Sequence, residues 1–304
     1  MYKTNINLNL YKTFYDVAKY GSISKAAQYG FTSQPAISKS IKKLEDELGT
    51  QLFYRNLNGV ELTDKGKELL YFVEKSYSNL IIAERNMIET ENLERGKLSI
   101  GMPSNIGSFF LFDKIISFHK KYPNIEITII TGSTSNLISL LDSHKVDFVI
   151  DTSPINVRLD DGMKITKLDE VQYCFVVKKD TKNIDYKKIN KLSDLKDKPL
   201  ILPIPGTANR NDLDELLLKQ NIDVENVINI HTSEMIISAV KKDLGIGYII
   251  YNLVEDDIKN GELELLDIKE KLPTVEINII FDKSFLTTAP KKFIENYIDY
   301  DFKL

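Results

Sequence analysis

Apolar residues in the first fifty positions recur at steps of three and four, the period of short amphipathic helices. Leu8, Leu10, Phe14, Val17 and Ala18 mark a first helix, which Gly21 stops. Ser24 is placed to cap a second, Lys25 to Tyr29, with Ala26 and Ala27 inside and Gly30 at its end. Phe31 is expected to plug the corner that follows. Ser33 then caps a third helix, Gln34 to Leu48, with Pro35 in its first turn and Gly49 closing it. Ala36, Ile37, Ile41, Leu44 and Leu48 form its apolar stripe, and Gln34, Ser38, Lys39 and Lys42 fall on the other side. The pattern shortens afterwards. Leu52 to Arg55 and Val60 to Leu62 read as two strands about an Asn58-Gly59 turn.

From Thr63 the helical period returns and persists to about residue 93. Leu69, Leu70, Val73, Tyr77, Leu80, Ile81, Met87 and Ile88 carry it. So long a one-sided helix requires a partner, its own body or a second subunit, and pairing of two subunits is the expectation. Past Gly96, strand-like and helix-like segments alternate. Strands are expected at 97–102, 125–131, 146–150, 171–177, 199–202, 227–230, 246–250, 262–266 and 275–281. Helices are expected at 106–122, 134–143, 209–220, 233–244 and 291–300. This alternation predicts an α/β body of open, mostly parallel, doubly wound sheets. The domain expectation is therefore 1–62, a connector at 63–93, and a body at 95–304. The body divides into subdomain I, about 95–165 and 270–304, and subdomain II, about 166–269.

The 304 residues fit two or three domains. Net charge is only -4, but its distribution is uneven: residues 1–62 hold eight Lys/Arg and five acids, a balance of +3, which leaves -7 for residues 63–304. A basic head on an acidic body favours phosphate docking at one end. One cysteine, Cys174, excludes an intrachain disulfide and a cysteine-rich zinc site, and its apolar strand context points to an inert core thiol. The N-terminus lacks the apolar stretch of a secretion signal, and no apolar run approaches the roughly 20 residues of a membrane helix. A cytoplasmic protein with no membrane partner is expected.

The third helix has what a recognition helix requires: an apolar side for docking and a polar side bearing amide, hydroxyl and ammonium groups. Gln pairs bidentately with adenine, and Lys serves guanine or phosphate. With the following hairpin this makes a winged helix-turn-helix, in which Arg55 is suited to a phosphate or the minor groove. Solvation alone would also explain a charged face on a three-helix domain. The segments AAQYGFTSQPAISKSIKKLEDELGTQLFYR and GVELTDKGKELL, however, resemble the N-terminal signature of LysR-type transcriptional regulators, densely over residues 8–70. That resemblance implies double-stranded DNA with an interrupted palindrome as partner, contacted by Gln34, Pro35, Ser38, Lys39 and Arg55, to which the helix start and its polar face add Ser33 and Lys42. It also implies self-association as dimer or tetramer, with RNA polymerase as a further partner.

In an open α/β sheet, ligands bind beyond the carboxyl ends of the strands. Four such ends are polar and lead into helices: residues 102–105, 132–135, 203–207 and 231–234. Hydroxyls and free N–H groups at helix N-termini suit a small anion such as a carboxylate, though capping alone accounts for any one of them. The body is similar, more loosely, to the effector domain of the same family, with a periplasmic-binding-protein-like fold. Leu98 to Gly101, Tyr122 to Ile125, Val146-Asp147 and Ala239 to Gly247 carry that likeness, most sharply at Gly245 to Gly247. It implies two subdomains joined by two crossover strands, with a small-molecule effector between them near Ser104, Asn105, Ser133, Thr134, Thr207, Thr232 and Ser233; Asp151, where the chain first leaves subdomain I, departs from the usual pattern and is a further candidate. Asp151 and Glu234 put the effector's charge in question, and Arg210 is placed to oppose them.

No cofactor, metal site or catalysis is expected. His119, His144 and His231 are scattered, and no GxSxG, HExxH or phosphate-loop pattern is present. The alternative is a solute-binding protein with an unrelated helical head, which the missing secretion signal disfavours.

Overall fold

A computed structural model describes residues 6–56, 59–88, 95–159 and 162–300. It separates into two compact units: one runs to Met87 and includes Asp142–Lys145, and the other holds the rest. In the first, α1 (Leu8–Tyr20) ends at Gly21, whose φ of 60° completes a left-handed cap. The chain turns at once, so Ser22 rather than Ser24 caps α2 (Ile23–Tyr29). The Ser22 hydroxyl accepts from Lys25 N at 3.3 Å. Helix α3 (Gln34–Leu48) begins as expected, with Ser33 Oγ accepting from Ala36 N at 3.3 Å.

The head's core forms where α1, α2 and α3 meet. Ala26 and Ala27 let Ile37, Ile41 and Leu44 approach Leu10, Phe14 and Val17. Ala36 belongs to the expected stripe but is exposed, because a one-residue step from buried Ile37 rotates it outward by about 100°. Strands β1 (Phe53–Asn56) and β2 (Gly59–Leu62) pair antiparallel. Residues 57–58 of the expected turn lie outside the described residues. The wing rests on the α1–α2 turn. Val60 N donates to Gly21 O at 3.1 Å, and a side chain on Gly59 would meet the Gly21 carbonyl oxygen at 2.5 Å. Helix α4 (Asp64–Ile88) follows, 25 residues and about 37 Å long at 1.5 Å per residue. The expected continuation to residue 93 lies outside the described residues.

The second unit starts with β3 (Gly96–Met102). A helical run follows: α5 (Ser104–Ile106), one π-helical turn at Gly107–Leu111, then α6 (Phe112–Lys121). Next come β4 (Ile125–Thr131), α7 (Thr134–Asp142), β5 (Phe148–Thr152) and β6 (Met163–Lys178). The remainder is β7 (Leu200–Pro203), α8 (Ala208–Lys219), β8 (Val227–Ile230), α9 (Ser233–Lys241), β9 (Ile246–Ile250), α10 (Glu255–Lys259), β10 (Leu263–Leu265), β11 (Thr274–Asp282) and α11 (Thr288–Tyr297). The strand order is β4-β3-β5-β11-β6-β9-β7-β8, with β10 also on β6.

Each half of this sheet has a parallel heart, β4-β3-β5 and β8-β7-β9. Two long strands cross between the halves. β6 pairs antiparallel with β11 and then with β9, and β11 also pairs with β5. These are the two doubly wound lobes expected, joined by two crossover strands that run antiparallel to their neighbours. The first half of β6, Met163–Glu170, escaped the sequence pattern because alternating exposed residues such as Lys164, Lys167 and Asp169 dilute its apolar signal. Val146 and Asp147 precede β5 instead of opening it. Asp147 works as a clip, exchanging its backbone N–H and a carboxylate oxygen with Ser99 O and N at 2.8 and 2.6 Å.

Candidate nucleic-acid interface and ligand cleft

In the head, Gln34, Pro35, Lys39 and Lys42 are exposed, Ser38 is half-buried, and the exposed Ser33 serves as the cap of α3. The side chain of Arg55 lies outside what is described; its backbone pairs with Val60 in the wing. The opposite flank of α3 is buried through Ile37, Ile41 and Leu44. The rest of the helix is tied down from its C-terminal half. Glu45 Oε1 accepts from Leu52 N and Phe53 N at 2.8 and 3.2 Å, fixing the chain that leads into the wing. Thr63 joins wing and α4. Its hydroxyl donates to Gln51 O at 2.8 Å and accepts from Gly66 N at 3.0 Å. Its own N–H bonds Leu52 O at 2.9 Å.

Phe31 does not plug the corner. It is 99% exposed at a φ of 48°. The alanine pair already closes the helix crossing, and the left-handed backbone throws the ring outward. Helix α4 buries Val73 and Ile82 but leaves Phe72, Leu80 and Met87 exposed by 59%, 57% and 89%. A single subunit does not cover that apolar face.

In the α/β unit, a cavity of about 470 Å3 opens at the carboxyl ends of β3, β4, β7 and β8. Its wall includes Pro103, Ser104 and Asn105 from the first loop and Thr131, Gly132 and Ser133 from the second. Pro203, Thr207 and Asn209 come from the third, and His231, Thr232, Ser233 and Ile236 from the fourth. Six of the eight expected residues therefore meet here. Thr134 and Asp151 do not line the wall. Asp151 is 2% exposed. It accepts from Thr152 N at 2.7 Å and is hydrogen-bonded by Thr134. Burial raises its pKa above the ordinary carboxylate range, with those two hydrogen bonds opposing the rise. Sequence position alone could not show that the α7 N-terminus would cover this carboxyl.

Asn209 was not expected in the wall and lies two residues past Thr207, while His231 opens the fourth polar strand end. Arg210 does not line the cleft. Its Nε bonds Asp214 at 2.7 Å, and its Nη1 bonds Pro203 O at 3.0 Å and Asn229 at 2.7 Å. It clamps the β7–α8 loop. The described wall therefore holds no Lys, Arg or carboxylate, and His231 is its one ionisable side chain.

The four helix N-termini at the cavity differ. Ser133 and Thr232 hydroxyls accept from Asn136 N and Met235 N, each at 3.4 Å, and so serve α7 and α9. Helices α5 and α8 carry no side-chain cap. Thr207 Oγ1 instead donates to Ile204 O at 2.8 Å. At α8, Asn209 Oδ1 accepts from Arg210 N at 3.0 Å; the α5 entrance and the first N–H groups of α8 are left, with their positive dipole ends, to face an anion.

Elsewhere, Cys174 is buried and its thiol pKa is pushed up to about 12, which keeps it protonated and unreactive. Among the described residues no group of three His, Cys, Asp or Glu is placed to hold a metal. No described helix is long and apolar enough to cross a membrane.

Comparison with known proteins adds to this geometry. The family profile described as a bacterial regulatory helix-turn-helix protein of the lysR family matches residues 8–67, and that of the LysR substrate binding domain matches residues 91–300. The HTH-type transcriptional regulator SoxR of Arthrobacter sp. (strain TE1826) is 29% identical over 283 residues, covering 93% of each chain. A full-length OxyR variant from Pseudomonas aeruginosa superposes with a TM-score of 0.71 at 21% identity, over 97% of this chain and 94% of that one. Full-length CbnR in complex with its target DNA gives 0.66 at 18% identity, over 96% and 99%. At such identities the two structures speak for the fold.

Proposed function

Since this chain belongs to the LysR family of DNA-binding transcriptional regulators with an effector-binding domain, we propose that it is a homo-oligomeric switch set by a small carboxylate. Residues 1–62 form the reading head and 63–93 the pairing connector. Residues 95–304 form the sensor, with subdomain I at about 95–165 and 270–304 and subdomain II at about 166–269. In this reading α3 enters the major groove of one half of an interrupted palindrome. Gln34 and Ser38 meet bases, Lys39, Lys42 and Arg55 meet phosphates or guanine, and Ser33 and Pro35 present the helix N-terminus to the backbone. The uncovered apolar face of α4 joins two subunits, so the paired heads match a DNA dyad.

The observation that carries the sensor reading is the cleft wall. It has hydroxyls, amides and uncapped helix entrances but no cationic side chain. Such a wall favours one compact anionic group held by N–H donors, with Ser104, Asn105, Ser133, Thr207, Thr232 and Ser233 bonding the rest of the molecule. A ligand that touches loops of both lobes is bound more tightly when they close on it. It thereby shifts the hinge formed by β6 and β11 by its differential affinity.

The test is a thermal-shift screen of organic and amino acids on the full chain, followed by operator binding with and without each hit. A carboxylate that raises the midpoint and changes operator affinity or footprint is expected. A screen in which only cationic or neutral compounds act would sink the carboxylate assignment. For the head, Gln34→Ala should cost about 1–3 kcal/mol at one base pair and relax choice there. Lys42→Ala should weaken all duplexes alike and lower the salt slope by about 1. Unchanged operator binding in both variants would remove α3 from the groove.

A further inference from the structure

We propose that Phe31 reads a thymine 5-methyl group in the major groove, as the apolar partner of Gln34. The inference rests on the reading of α3 as the groove-entering helix. Among the described residues Phe31 is the most exposed of the large apolar side chains, at 99%. Its backbone φ of 48° is one that glycine or asparagine adopts at lower cost than a bulky residue. Strain and full exposure together give no folding benefit, so the ring's use lies outside the subunit.

The backbone that carries the ring is held on both sides of it. Gly30 N bonds Ala26 O at 2.9 Å, Phe31 N bonds Gln28 O at 3.4 Å, and Thr32 N bonds Ala27 O at 3.0 Å. Ser33 then caps α3. Phe31 thus stands two residues before the cap, and every residue from Gln28 to Ala36 is exposed. The exposed stretch runs from Phe31 into the first turn of α3, the part of a recognition helix that meets base edges.

Charge selects the occupant. No Asp or Glu occurs between Asp16 and Glu45, while Lys19, Lys25, Lys39, Lys42 and Lys43 all do. That basic setting favours a polyanion over an apolar protein surface. On duplex DNA, the apolar feature that base edges present in the major groove is the thymine methyl, and a phenyl ring is a suitable partner for it.

The full-length protein would first select its site from a random duplex pool. Affinity would then be measured by fluorescence anisotropy with each dT of the half-site replaced in turn by dU, which deletes only the methyl. For the wild type, one position should weaken binding about four-fold per half-site, the worth of one apolar carbon at about 0.8 kcal/mol. Phe31→Asn, which suits the left-handed backbone, should lose that sensitivity while melting no lower than wild type and keeping its salt slope. Phe31→Leu should keep part of it. The inference fails if the wild type selects a site yet tolerates every dU, or if Phe31→Asn remains fully methyl-sensitive. It also fails if Phe31→Asn loses random-sequence binding, which would make the ring structural. A wild type that selects no site at all overturns the reading of α3 beneath it.

Discussion

Asp151 sits at the end of β5 with every strand residue before it buried. One of its carboxylate oxygens, Oδ2, has no hydrogen-bond partner among the described residues. Its pKa is raised in the folded state, chiefly by burial. The native form therefore holds its proton at pH values where the unfolded chain has released it. By linkage its contribution to stability is fully present below the unfolded pKa, and is lost as pH rises through the raised value. Asp151→Asn keeps an oxygen for Thr152 N–H and Thr134 and removes the charge. It should melt higher than wild type at neutral pH, with the gap closing as pH falls below the ordinary carboxylate range. A gap that is constant with pH would show that Asp151 ionises normally. Arg210 teaches the same lesson from the other side. Sequence places it near the ligand, but three hydrogen bonds commit it to the β7–α8 loop.

At the scale of elements, much of the family-like signature in the head is architecture. Glu45 holds the approach to the wing, and Thr63 both caps α4 and binds the chain before β1. Gly66 is small because α4 runs against that same segment. A side chain there would fall on the Leu52 carbonyl oxygen, with the Leu62 methyl at 2.9 Å. Gly66→Ala should therefore cost about 1–3 kcal/mol, the range for overpacking, read as a lower melting temperature. Loss of the Ser33 cap in Ser33→Ala should cost only about 1 kcal/mol. Helix α4 keeps Leu80 and Ile81 exposed by 57% and 44%. For the subunit pairing proposed through this face, a double change, Leu80→Glu with Ile81→Glu, should leave the head folded and give a monomer in sedimentation velocity. Retention of the dimer would place the pairing face elsewhere.

At the scale of the α/β unit, the proposed switch rests on two lobes joined by β6 and β11, with loops from both meeting at one cavity. A ligand present at 100 times its dissociation constant should stabilise the fold by about 2.7 kcal/mol. Ser104→Ala removes an exposed hydroxyl from the wall, so its stability without ligand should be unchanged. Its affinity for the hit should fall by about 0.5–1.5 kcal/mol, the net value of one hydrogen bond. Titration calorimetry on the two proteins separates these effects.

The element types and most of their order were legible in the sequence, because they follow from local period, caps and breakers. Ser33, Gly21, Gly49 and the βα alternation act over a few residues. The four polar strand ends were legible for the same reason, since each lies where a strand meets a helix. Tertiary structure decided the rest. Cross-strand pairing extended β6 through its charged half, helix packing turned Phe31 outward, and burial behind α7 withdrew Asp151 from the cleft. Each depends on residues distant in the chain competing for the same space, which one-dimensional spacing does not record.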